Sequence, residues 1–126
     1  MAPFLIVELA RDDGVAAAMQ APPEGIRVVV QVSVRGFVPR VARDGIQAAG
    51  QDNLKGLVLT WGDGVSSSWR GLGEPTCVAA GPLVEVDMEF VDDHVYGSPG
   101  RLHVTFETSA CEPVGSVRRT LVLTVA

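Results

Sequence analysis

Five runs of this chain alternate apolar and polar residues with a period of two, and that pattern leaves few folds open. In "IRVVVQVSVR" (26–35), Val28, Val30, Val32 and Val34 share one face, while Arg27, Gln31, Ser33 and Arg35 share the other. The same alternation runs through "LVLTW" (57–61), "LVEVDMEFV" (83–91), "RLHVTFE" (101–107) and "VRRTLVLTV" (117–125); "FLIVEL" (4–9) is a further candidate. Successive side chains of a strand point to opposite sides, so each run reads as a strand with one face on a core and one in water. Helix signals are sparse. "GVAAAMQA" (14–21) is cut short by Pro22-Pro23, which cannot donate to a helical ladder, and "VARDGIQAAG" (41–50) has room for one short helical turn. The spacing of the strands suits an all-β sandwich.

Bulk properties narrow the partners. A chain of 126 residues and 13.3 kDa is the size of one domain with one core. Its 14 glycines and 8 prolines stand singly between apolar runs, as punctuation between strands rather than as a disordered tract. Ten basic against fifteen acidic residues give a net charge of −5, and the only dense basic pair is Arg118-Arg119. That balance argues against nucleic acid as a partner, since phosphates call for a basic surface. No apolar run approaches the ~18–20 residues that cross a bilayer, so no membrane insertion is expected. The opening "MAPFLIVELARDDG" lacks a basic start, and Glu8 interrupts its apolar run, so the chain is expected to begin at its own Met without a secretion leader. Cys77 and Cys111 stand far apart with no CxxC spacing, which excludes a zinc finger or ribbon. They form either one disulfide or two buried thiols, and the missing leader favours thiols.

Several residues are candidates for chemistry or contact. Two long stretches, 36–55 and 70–82, read as loops, where binding commonly sits on a rigid scaffold. Gly62-Asp63-Gly64 follows a strand: glycine supplies positive φ, and an Asp carboxylate accepts bonds from backbone amides just beyond it, so the triplet reads as a structural turn. A catalytic Asp63 would need a partner that the neighbouring sequence does not offer. Ser66–Ser68, His94 and Asp63 compose a triad on paper only, since no G-x-S-x-G elbow accompanies them. His103, between Leu102 and Val104, is expected to face solvent. Glu85, Asp87, Glu89, Asp92 and Asp93 form the best candidate set for calcium. Alternate residues on one strand stand ~7 Å apart, however, and a solvated acidic face that guards an edge strand is the favoured reading. No cofactor is expected. Trp69, in the serine- and glycine-rich "SSSWRGLG", is either a lid on the end of the fold or, with Arg70, a contact for a partner.

Two ordered blocks, "LVLTWGDG" (57–64) and "HVYGSPGRLHVTF" (94–106), resemble the polycystic kidney disease (PKD) domain, an immunoglobulin-like β-sandwich. Gly62, Asp63 and Gly64 fill the family's Gly-Asp-Gly positions, with Trp61 where it often has Phe, and His94, Tyr96, Pro99 and Gly100 match its second block. Leu59 and Thr60 stand where the family usually has Trp and Asp, and the segment between the blocks is long. The resemblance covers about residues 26–126 and leaves residues 1–25 as an N-terminal arm or extra strand on a sandwich of about seven to nine strands. It implies that Trp61 is buried and that His94 and Tyr96 are structural, bonding the backbone as a tyrosine corner does.

It also implies adhesion, spacing or binding rather than catalysis. A leaderless domain of this type fits a bacteriophage virion, as a capsid decoration or tail-associated protein, because particles leave by lysis. Its partners are then virion shell proteins or neighbouring copies. Phe4 and Ile6, in an arm that docks as an added strand, are the expected contacts. On that reading, deletion of residues 2–20 leaves a folded domain. The competing expectation is an extracellular or cell-surface module that binds carbohydrate or matrix through Trp69.

Overall fold

The computed structural model of the protein describes residues 2–126. In chain order the elements are β1 (Phe4–Arg11), α1 (Asp13–Ala18), β2 (Ile26–Val38), β3 (Val41–Arg43), β4 (Ile46–Gln47) and a 3-10 turn (Gly50–Asn53). There follow β5 (Gly56–Thr60), β6 (Ser66–Trp69), β7 (Pro75–Cys77), β8 (Val84–Tyr96), β9 (Gly100–Ala110) and β10 (Gly115–Val125). They form three antiparallel sheets, ordered β1-β2-β8, β10-β9-β5-β6 and β4-β3-β7. The first two sheets share one core. Val28, Val30, Val32 and Val34 of β2 meet Leu59, Trp61, Val104 and Phe106 from the other sheet. Burying a Val, Leu or Phe side chain is worth about 1.5–3 kcal/mol, so the inward valines of β2 alone anchor the first sheet.

Local chemistry explains the boundaries. Phe4–Arg11 takes the extra-strand form of the two expected for residues 1–25: it pairs with β2 from Phe4↔Phe37 to Arg11↔Val30, with Leu5 and Val7 in the core. A truncation through residue 20 would therefore remove a strand of the first sheet. Helix α1 is brief. Asp12 caps it, accepting from the Val15 amide at 3.0 Å, and the chain leaves the helix before Pro22-Pro23. The stretch 41–50 holds no α-helix; it folds back as the β3–β4 hairpin, because Asp44 and Gly45 at φ of +50° and +82° make a tight two-residue turn. The loop expected at 70–82 likewise contains β7, which pairs with β3.

Two further expectations are corrected. Ser66–Trp69 is a strand: it pairs with β5 from Thr60↔Ser66 to Leu57↔Trp69 and closes one edge of the second sheet. Cys77 and Cys111 are joined as a disulfide, which ties β7 to the chain just beyond β9. The two half-cystines are not free thiols because the Val41↔Cys77 pairing carries β7 over the end of the second sheet, where Cys111 packs with Val41 and Ala48.

Candidate functional site

The Gly62-Asp63-Gly64 turn joins β5 to β6, and β8 brings His94 and Tyr96 to it from the facing sheet. The turn is closed by the Trp61 amide donating to the Val65 carbonyl at 3.0 Å, and the Val65 amide donates to Asp63 Oδ1 at 3.2 Å. Gly62 has φ of +89°, and a Cβ there would stand 2.7 Å from the His103 carbonyl oxygen, so no other residue fits. Trp61 is buried, with its ring stacked on His94 at 5.2 Å and meeting Tyr96 edge-on at 6.4 Å. The Tyr96 hydroxyl donates to the Trp61 carbonyl at 2.7 Å. That bond joins the two sheets. Pro99 ends the short connection 97–99 that leads from β8, and Gly100 opens β9, paired with Val125.

His94 departs from its expected role. Its Nε2 does not bond the backbone; it donates to Asp63 Oδ2 at 2.6 Å, with the imidazole largely covered. Asp63 thus has the partner that the neighbouring sequence could not supply. The hydrogen bond from His94 holds its carboxyl below the ordinary value of 3.8, against the opposing pull of desolvation. Burial pushes the Tyr96 phenol up to about 12, and the Asp63 charge adds to the rise, so the hydroxyl stays a neutral donor. Among the described residues no serine hydroxyl bonds His94, and Ser66–Ser68 lie along β6. The cluster has the composition of an acid–base site, but each of its polar groups is engaged in holding the turn. His103 is exposed on β9.

The other candidates lie elsewhere. Phe4 and Ile6 are exposed on the outer face of β1, where Phe4 packs against Phe37 with ring centroids 6.0 Å apart. Trp69 ends β6, half-buried against the core, and Arg70 follows it at the opposite end of the sandwich from Asp63. A cleft of about 500 Å³ opens there, with Lys55, Trp69, Arg70, Glu74 and Glu107 on its walls. Glu85, Asp87 and Glu89 point outward from β8, where Glu89 accepts from Gln31. Asp93 faces the same way and pairs with Arg27. Asp92 falls on the opposite, inward side. The acidic set is therefore split between two faces, and among the described residues no three metal-ligating side chains converge.

Arg43 organises the Trp69 end. It is 7% exposed and spends its donors on backbone carbonyls. Nε donates to Asp52 at 3.0 Å, Nη2 to Leu54 at 2.7 Å, and Nη1 to Arg70 at 2.8 Å and Gly73 at 3.2 Å. Its guanidinium also lies 5.8 Å from the centre of the Trp69 ring, a cation–π contact. Buried Asn53 does the same on a smaller scale, accepting from the Val41 amide at 2.9 Å and donating to the Gly50 carbonyl at 3.1 Å. The usable sequence signal was Asp44-Gly45, a hairpin turn that places the residue before it in a strand. No protein-family model, curated protein or solved structure matches the chain.

Proposed function

We propose that this protein is a non-catalytic structural and binding module, an immunoglobulin-like sandwich of the PKD type, that works on a bacteriophage particle as a capsid decoration or tail-associated component. One observation carries the reading. The acid–base groups that an enzyme would use, Asp63, His94 and Tyr96, are bonded to each other and to the backbone, and their work is to join two sheets. The Tyr96–Trp61 bond also links the two blocks on which the PKD resemblance rests. The Cys77–Cys111 disulfide favours a protein that ends up outside a reducing cytoplasm, which lysis achieves without export. On this reading the partners are shell proteins of the particle or neighbouring copies.

Mass spectrometry of particles banded on a density gradient, prepared from the strain that carries the gene, is the direct test. The protein is expected to co-purify with intact particles at a stoichiometry comparable to other surface components. Recovery only from the culture medium or cell envelope would overturn the assignment. It would favour instead a carbohydrate-binding module, for which the cleft beside Trp69 is the specific argument.

A further inference from the structure

The core is open on the flank where β8 ends the first sheet and β6 ends the second, and a cleft of about 280 Å³ enters there. Three aromatic side chains line it. Phe106 forms the floor with Leu59, Phe90 packs on Phe106 with ring centroids 5.9 Å apart, and Trp69 and Met88 complete the apolar wall. The volume falls just under the ~300 Å³ at which drug-sized ligands are held, so the cleft suits a small guest. Asp92, turned inward by the parity of β8, lines it as well. Its carboxylate is half-buried and accepts from the Asp93 amide at 2.9 Å, and among the described residues no Lys, Arg or His pairs with it. Glu89 touches the same cleft, but its carboxylate accepts from Gln31 on the outer face. No Lys or Arg is among the described lining residues; Arg43, which meets the Trp69 ring, does not reach the cleft.

We infer that this cleft binds a small organic cation of the alkylated-ammonium class, such as the trimethylammonium group of choline. The lining decides the class. A neutral aliphatic guest would cover the apolar wall yet leave the Asp92 charge without a partner. A metal ion needs several oxygen ligands, and the aromatic wall supplies none beside Asp92. A primary ammonium brings three N–H donors that such a wall leaves unsatisfied. An alkylated ammonium has no donor to satisfy. Its methyl groups pack on Leu59 and Met88, its charge is attracted by the aromatic rings, and Asp92 neutralises it. The site depends neither on the particle assignment nor on the cleft beside Lys55 and Arg70.

Nuclear magnetic resonance titration of the full chain with choline chloride tests it. Choline is expected to shift the Trp69 indole and Met88 methyl signals saturably. Its neutral tert-butyl analogue, in which carbon replaces the nitrogen, is expected to leave them in place at the same concentrations. Asp92→Asn keeps the shape of the side chain and should weaken choline binding about tenfold, since a charge contact at a half-buried site is lost. Phe90→Leu keeps an apolar wall but removes a ring, and should weaken binding roughly threefold. Amide spectra report whether each variant is folded. Vesicles of phosphatidylcholine form a second arm. Sedimentation of the wild type with them, but not of Asp92→Asn, would place the cation on a lipid headgroup; choline binding without vesicle binding would place it on a soluble ligand. Equal binding of the neutral analogue, no saturable shift with choline, or full affinity in Asp92→Asn would overturn the site.

Discussion

The two ends of the sandwich are closed by different means, and the difference follows from the length of chain each must hold. At the Asp63 end two of the three connections, 61–65 and 97–99, are short and lose little entropy on closing, and the third, 12–25, spends part of its length in the capped helix α1. A few hydrogen bonds suffice there: Tyr96 to Trp61, His94 to Asp63, and Asp63 to the amide of Val65. At the Trp69 end the segments 39–55 and 70–83 lie outside the two main sheets and carry many backbone groups that need partners. Three devices hold them: the small β4-β3-β7 sheet, the buried Arg43 with its ring of carbonyls, and the Cys77–Cys111 disulfide. Long connections call for long-range constraints. Short ones are settled by turn chemistry.

Cutting the covalent constraint should have the largest effect. The disulfide closes a loop with a sequence separation of 34. Chain-entropy arguments put the contribution of such a link at about 3–4 kcal/mol. Cys77→Ser with Cys111→Ser is expected to lower the urea midpoint accordingly, with hydrogen exchange rising first in 39–55 and 70–83. Equal loss of protection around Tyr96 would break the comparison, since it would mean that the two ends open together.

Arg43→Met comes next. The thioether fills much of the same volume but leaves the carbonyls of Asp52, Leu54, Arg70 and Gly73 without their donor. Each buried unpaired carbonyl costs about 1–3 kcal/mol, offset where water reaches it, so the net loss is about 2–3 kcal/mol. Arg43→Lys should recover only part of this, because an ammonium cannot span carbonyls that a planar guanidinium reaches at once. Thermal unfolding of the two variants checks the order. Full rescue by lysine would show that charge, not geometry, is what the site needs.

The sequence disclosed the two ends unequally for the same reason. Alternation located β2, β5, β8, β9 and β10 to within a few residues, because a strand half-buried in a sandwich must alternate. The turn at Gly62-Asp63-Gly64 was legible because each residue has a local reason to be there. Ser66–Trp69 was not: three serines are poor strand formers, and what makes them a strand is pairing with β5. Asp92 was grouped with the outward acids because the alternating run was ended at Val91; β8 continues to Tyr96, and parity turns Asp92 inward. The disulfide, the Arg43 hub and the Asp63–His94 pair each join residues remote in sequence, and no local pattern encodes them.

The smallest effect is expected at the Asp63 end, and its pH dependence is what identifies it. The carboxyl of Asp63 binds its proton more weakly in the folded protein than the ordinary value of 3.8, chiefly because of the His94 bond. A depressed carboxyl stabilises the fold above its unfolded value, and the contribution is lost as pH falls through the folded one. Asp63→Asn should therefore cost about 0.5 kcal/mol near neutrality, the range of a partly exposed pair. The gap between variant and wild type should close as the medium becomes more acid than 3.8. Melting temperatures of both proteins across that range measure it. A gap that stays constant with pH would mean that the charge of Asp63 contributes nothing to the fold and that the imidazole is held by its stacking on Trp61.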